Sequence, residues 1–447
     1  MEPSRNLEVI PFVVPRLRRG APDAEASGND FTGGVDLRWG LRANLTANLT
    51  LNPDFGETEA DIANITISRY ELFFPEKRTF FTEGANYFRT PFNLFFTRRI
   101  GERLPDGRRQ PLLFGGKLTG KLGPYTLGVL EAKTDATRFR DPDTGLWLRA
   151  PSANFFVLRL QRDIFAKSTL GLLSINRDQP SGDLGASERV HALDLNIVHG
   201  PYITWASQAA VSRNPFATTG GIQRYALRSA FQYNSDFWEY YLTWFFRGRS
   251  FDVSQIGFEP QTDRLGGVAG ITYKPFFGHH GIRQLFFNWN YDESNDTFGN
   301  LQEAGADFDF QAQFTNFWSF RVRYSYNRTR FHVFTPDFQR LDLQRVYPEP
   351  RVRLFFETNE NRPLWLALRY TWKKMVNFRD NYYGRGQVYE AELNAKLAGR
   401  AKLMFQGEYD REFLLDGRPA QVRRLFVVRF THQFTQRWRT RILAQFN

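Results

Sequence analysis

The chain has 447 residues and no cysteine, which excludes a disulfide framework and any thiolate metal site. Its formal charge is +12 and 45 of its residues are phenylalanine, yet no run approaches the roughly 18 apolar residues of a membrane-crossing helix. A chain rich in aromatics, polar on average and free of hydrophobic helices fits a transmembrane β-barrel, where lipid-facing and lumen-facing residues alternate and cancel in any window.

The basic balance fits nucleic acid, an anionic membrane surface or a basic lumen. The arginines are spread through alternating segments and gather in no helix or tail, so no nucleic-acid partner is expected. Residues 1–5 lack the apolar core of a secretory signal, so a barrel reading implies that the sequence begins inside a longer gene product.

In chain order, residues 7–17 read as a strand or wall segment broken by Pro11 and Pro15, followed by a small-residue acidic loop at 21–29. Residues 35–41 and 44–51 form a hairpin; Leu45, Ala47, Leu49 and Leu51 alternate with Thr46, Asn48 and Thr50, and period two sends the two sets to opposite faces. Residues 112–122 and 125–134 pair around Gly123-Pro124, and 155–161 pairs with 168–176. The strand ending at Gly200-Pro201 returns as 202–212, and 224–233 turns at Asn234-Ser235-Asp236 into 238–247. The beat continues through 265–273, 284–291, 302–313, 320–330, 351–357, 364–372, 388–397, 402–410, 422–431 and 438–446. Many of these run roughly 9–11 residues, the length of a tilted transmembrane strand. Tight turns alternate with longer polar loops such as 178–187 and 335–350, as in outer-membrane barrels. The soluble rivals, a propeller or paired sandwiches, need blade repeats that the sequence lacks and would not set Phe, Tyr and Trp on an outward face.

Residues 52–101 break the pattern. Asp54, Glu57, Glu59 and Asp61 crowd the start; Phe73-Phe74-Pro75-Glu76-Lys77-Arg78 and Phe80-Phe81-Thr82-Glu83-Gly84 follow; Phe95-Phe96-Thr97-Arg98-Arg99-Ile100-Gly101 closes the stretch. A long irregular segment inside a regular protein is functional or disordered, and its aromatic content argues against disorder.

The chemistry-bearing candidates are few. Glu57, Glu59 and Asp61, with Asp54, would share one face of an extended segment about 6–7 Å apart and are the candidate divalent-metal ligands. Calcium-loop spacing is absent, so pairing with Arg98, Arg99, Arg321 or Arg323 is the plainer reading. Glu76 and Glu83 are the tempting acid/base pair, but they stand in no diagnostic motif. Gly115 to Leu122 misses a phosphate-binding loop because Leu122 stands where Ser or Thr must ligate magnesium; its glycines suit close approach in a wall. His279-His280 has no third ligand in view, and neither HExxH nor Gly-x-Ser-x-Gly occurs. No cofactor and no catalytic residue is expected. Arg321 and Arg323 share a face, as do Arg437, Arg439 and Arg441. A charge facing lipid mid-membrane costs several kcal/mol, so these arginines belong on the lumen wall or at an interface.

The motifs NPDFGETEAD, FFPEKRTFFTEG and LFFTRRIG, with GGKLTGKLG, VLRLQRDIF, SQIGFEPQTD and RILAQFN, resemble a bacterial outer-membrane family of unknown function, domain-of-unknown-function family five-nine-one-six. The resemblance implies a β-barrel preceded by a carbohydrate-binding-like domain and a signal peptide, both absent here, and a final hairpin beyond RILAQFN. Some members are labelled membrane-associated hydrolases, an activity that no matching residue explains.

Together these readings predict an all-β fold: a large antiparallel transmembrane barrel of about 18–22 strands over residues 1–447. Residues 52–101 would be a lumen plug or constriction because a lumen that wide is not filled by wall side chains. Phe73, Phe74, Phe80, Phe81, Phe95 and Phe96 would anchor it by burial, while Glu76, Lys77, Arg78, Glu83, Arg98 and Arg99 carry its charge opposite the wall arginines. The function expected is a plugged or gated channel for a polar, anionic or saccharide solute in the bacterial outer membrane. Its partners would be outer-membrane lipid and the barrel-assembly machinery. The alternative is a surface-anchored carbohydrate-binding or hydrolase-associated platform whose barrel is only an anchor.

Overall fold

Period-two patterning is realised as strands along nearly the whole chain. The structure, a computed structural model, describes residues 6–18, 28–53, 71–180, 187–214, 220–259, 261–330, 345–377, 379–380, 382–397, 399–435 and 438–446. The first strands are β1 (Leu7–Arg18), β2 (Gly28–Arg42), β3 (Leu45–Leu51), β4 (Leu112–Leu122) and β5 (Tyr125–Thr134). A separate hairpin follows, β6 (Thr137–Arg140) and β7 (Trp147–Ala150). The sheet resumes with β8 (Asn154–Ile164), β9 (Ser168–Asp178), β10 (Glu188–His199), β11 (Ile203–Arg213), β12 (Tyr225–Asn234), β13 (Trp238–Arg247), β14 (Arg264–Tyr273) and β15 (Ile282–Asn295). It ends with β16 (Leu301–Phe314), β17 (Ser319–Arg330), β18 (Val346–Glu357), β19 (Leu364–Asn377), β20 (Tyr382–Leu397), β21 (Ala401–Leu414), β22 (Pro419–Gln433) and β23 (Arg439–Phe446).

All strands but β6 and β7 join one 21-stranded antiparallel sheet in which each pairs with its neighbour in sequence, β5 passing directly to β8. Among the described residues β1 pairs only with β2 and β23 only with β22. Pro11 and Pro15, expected to break the first strand, instead lie within β1, opposite Val35 and Phe31. A strand with one neighbour tolerates a missing N–H. Pro348 and Pro350, expected in a loop, lie within β18.

The connections fall into two classes by edge. One edge carries mostly tight turns, such as 43–44, 123–124 and 165–167; the other carries the long excursions 52–111, 135–153, 248–263 and 331–345. The two faces differ as sharply. On β13, Trp238, Tyr240, Leu242 and Trp244 point one way and are exposed, Leu242 by 58%. The same face holds Leu193, Trp205, Trp289, Phe308, Tyr324 and Ile442, all exposed. The other face carries Asp194, Gln208, Asp309 and Asp410, all buried. So much exposed apolar surface on one face, with charge buried on the other, inverts the pattern of a sheet in water.

Candidate functional site

The excursion between β3 and β4 folds back onto the polar face. Its ends meet: Asn52, in the left-handed region at φ 46°, donates its N–H to the Leu113 carbonyl at 2.8 Å. Asp54, Glu57, Glu59 and Asp61 lie outside the described residues, which resume at Glu71. From there the segment has one helical turn (Thr79–Thr82), two 3-10 turns (Ala85–Phe88 and Thr97–Arg99) and otherwise irregular backbone.

An ionic knot organises it. Glu76 accepts from Arg78 Nε at 2.9 Å and Nη2 at 2.7 Å, from the N–H groups of Lys77 and Arg78 at 3.0 Å, and from Thr97 Oγ1 at 2.7 Å. Arg78, 3% exposed, donates onward to the carbonyls of Ile100 and Thr97, both at 2.7 Å, and its guanidinium lies 4.2 Å from the Phe81 ring centre. Burial alone would raise the Glu76 carboxyl, but the hydrogen bonds and charge of Arg78, with help from Thr97, hold it down at about 2.

The wall is cut to receive the segment. Phe80 lies over Gly115, where an added Cβ would stand 2.8 Å from its ring, and this close approach is the use of that glycine in the near-match to a phosphate loop. Lys117 reaches the carbonyls of Phe80, at 2.5 Å, and Glu83. Glu83 in turn accepts from Asn48 at 2.7 Å and pairs with Arg38 at 3.0 Å. Farther along, the N–H of Phe92 donates to Gln208 on β11 at 2.8 Å, and Arg247 of β13 lies 5.3 Å from the Phe92 ring centre. The segment thus spans the polar face from β2 to β13.

The placement of the expected residues is mixed. Phe81 is buried, Phe80 and Phe95 pack against the core, and Phe73 is 53% exposed, its ring centre 5.2 Å from that of Phe96 and 5.1 Å from that of Phe258. Phe74 lies 5.9 Å from the Arg98 guanidinium. The deepest anchors are Phe92, Leu94 and Ile100, and with Phe81 and Phe88 they are joined in one core by Phe251, Val253 and Ile256 from the loop between β13 and β14. Sequence reasoning passed over these because single apolar residues in irregular chain have no period. Arg98 binds the Pro75 carbonyl at 2.6 Å, and Arg99 binds Glu71 at 2.6 Å and the Gly257 carbonyl at 3.2 Å. Among the described residues, the charges of Glu76, Arg78, Arg98 and Arg99 are thus met within the segment and by the neighbouring loop, while Glu83 pairs with the wall arginine Arg38.

The wall arginines have their own partners. Arg321 and Arg323 both donate from Nε to Asp309, at 2.6 and 2.7 Å, and Asp309 is fully buried. Arg439 and Arg441 share the polar face with Lys402, Asn394 and Arg429 around a recess of about 300 Å³, while Arg437 lies outside the described residues. Two arginines missed in the sequence complete this side. Arg353 stands directly opposite Arg323, and Arg351 directly opposite Lys373. Neither Arg351 nor Arg353 has a carboxylate within 4 Å among the described residues. The period-two spacing of Arg351 and Arg353 was the available signal. Like charges directly opposed destabilise a sheet, so the wall keeps this cationic row at a cost.

The family model described as Domain of unknown function (DUF5916) matches residues 3–417. The chain belongs to this family. The search of curated proteins gave no match. Among solved structures, this DUF5916 chain is similar to Pseudomonas aeruginosa OccK10 (OpdN), at 12% identity over 76% of this chain and 94% of that one with TM-score 0.42. It is similar to Acinetobacter baumannii OccAB3 at 10% identity, 79% and 96% coverage and TM-score 0.43. It is also similar to Pseudomonas aeruginosa OprD at 12% identity, 76% and 92% coverage and TM-score 0.41. Among the described residues, no three His, Asp or Glu side chains of the DUF5916 chain are grouped to hold a metal ion.

Proposed function

We propose that this DUF5916 chain is the wall of a bacterial outer-membrane β-barrel channel, narrowed by its own 52–111 excursion and conducting polar solutes with a preference for anions. One observation carries the reading: the apolar, aromatic face points out along the sheet, while the polar face is covered by the segment over β2–β13 and lined by charge over β16–β22. An outward apolar face is tolerated in lipid, where the alternation of strand residues serves both environments. The long connections then lie on the outer surface and the tight turns on the inner, so the segment enters from the outside. Arg321, Arg323, Arg351, Arg353 and Lys373 supply the anion preference. Outer-membrane lipid and the barrel-assembly machinery are the partners this placement requires. The solute class extends to charged saccharides, whose acidic groups would meet the same arginines.

The test is single-channel conductance in a planar bilayer, before and after removal of residues 54–101. A channel of this design shows a small anion-selective conductance that rises when the segment is removed. Conductance near zero in both forms, with ligand binding lost on removal, would instead indicate an anchored binding platform.

A further inference from the structure

The lipid-facing side of β18–β22 carries a groove that the channel reading does not use. Across the strands, Phe356, Leu368, Ala391, Gly407 and Phe426 are in register, and one row nearer the long-loop edge run Leu354, Tyr370, Tyr389, Tyr409 and Arg424. The small pair Ala391 and Gly407 sits side by side between larger side chains and leaves an apolar groove of about 450 Å³, walled by Leu368, Tyr389, Phe405 and Phe426. Gly407 is needed where it stands: an added Cβ would crowd Phe426 at 3.2 Å and Phe405 at 3.3 Å, so its lack of a side chain lets those two rings close in as the groove's walls.

Directly above the groove, toward the long-loop edge, the same outward face turns basic. Lys374 and Arg385 stand opposite each other across β19 and β20, Arg411 is two residues beyond Tyr409, and Arg424 closes the tyrosine row. None of the four has a carboxylate within 4 Å among the described residues. Arg411 donates to Gln387 at 2.8 Å, and two of the other cations rest on rings, Arg385 5.8 Å from Phe413 and Arg424 5.6 Å from Tyr409. An opposed Lys–Arg pair with no acid destabilises the sheet unless an anion joins it.

The geometry points to a binding site for one phosphate-bearing lipid of the leaflet on the long-loop side, with its phosphates on Lys374, Arg385, Arg411 and Arg424 and an acyl chain in the groove over Ala391 and Gly407. Charge complementarity selects the lipid: guanidinium forks and an ammonium suit phosphate oxygens, and an aliphatic chain suits the groove. A protein helix in the same groove would leave the four cations without partners. The inference rests on the outward face being the lipid face.

The experiment compares lipid A carrying two phosphates with its dephosphorylated counterpart, each offered to the full chain in liposomes, extracted and read by native mass spectrometry. The intact chain retains the phosphorylated lipid about tenfold over the other. Combining Lys374→Gln, Arg385→Gln, Arg411→Gln and Arg424→Gln removes the preference, and Gly407→Leu, which fills the groove, lowers retention of both lipids. Equal retention by the intact chain, which needs no variant, overturns the proposal; so does a preference that survives the fourfold change. A chain that does not insert into liposomes at all overturns the membrane reading along with it, whereas insertion with equal retention overturns the lipid site alone.

Discussion

Replacing Glu76 by Gln tests whether the segment is held by its ionic knot. The carboxyl falls from 4.5 to about 2 on folding, which at about 1.36 kcal/mol for each pH decade corresponds to about 3 kcal/mol. Loss of one partner of a buried pair gives the same size, because Arg78, 3% exposed, would keep its carbonyl acceptors but lose its counter-charge. The sign follows from the depressed carboxyl: its stabilisation is full above pH 4.5 and disappears as pH falls toward 2, with about three-fifths gone at pH 3. Hydrogen exchange of amides in 71–104, corrected for intrinsic rates, reads the local opening. Glu76→Gln raises opening about a hundredfold at pH 7, and the native chain opens similarly, though less, as pH drops to 3. Protection in the variant within about twofold of the native chain would show that the knot does not hold the segment.

Asp194→Ala strands Arg159, whose Nη1 lies 2.5 Å from that carboxylate under the segment, and lowers stability by about 3–5 kcal/mol in denaturant titrations of folded protein in detergent. Gly115→Val drives a side chain into the Phe80 ring, and an overpacking cost of about 1–3 kcal/mol loosens residues 79–88 in the same exchange measurement while sparing β16–β22. Arg351→Glu with Arg353→Glu shifts the reversal potential in a salt gradient toward cation preference. An unmoved potential would mean that these arginines do not face the conducting path.

Much of the wall was legible because a strand in two environments writes its period directly. Residues 112–122, 125–134 and 238–247 coincide with β4, β5 and β13. The boundaries that slipped did so where charge replaced alternation: β19 runs on through Lys373-Lys374 to Asn377, and β20 begins at Tyr382, ahead of Arg385. β6 and β7 were too short, at four residues each, to show a period. The segment was recognisable as the exception, but not its anchoring. Phe73 and Phe80 look equivalent in sequence, and the positions of the wall glycines decide which rings find a recess, Gly115 receiving Phe80 and Gly128 receiving Phe88. The partner of Glu76 was two residues away, whereas the arginines considered for the acids lay on the wall and at 98–99; i to i+2 pairing of this kind depends on irregular backbone that no repeat announces.

The two ends of the excursion are hydrogen-bonded to each other, and β3 and β4 keep their pairing from Leu45–Gly120 to Leu51–Phe114 beneath it. To the wall, everything between Asn52 and Leu113 is therefore a detachable cassette. Closing a loop twice as long costs only about 0.6 kcal/mol more, so length is almost free. What the wall demands is a ring for the recess at Gly115, a carbonyl for Lys117, an acid for Arg38, an N–H for Gln208 and apolar cover of the kind Phe88, Phe92, Leu94 and Ile100 supply. A descendant of this gene could exchange the rest of the insert, and with it the shape of the passage, without renegotiating a single strand.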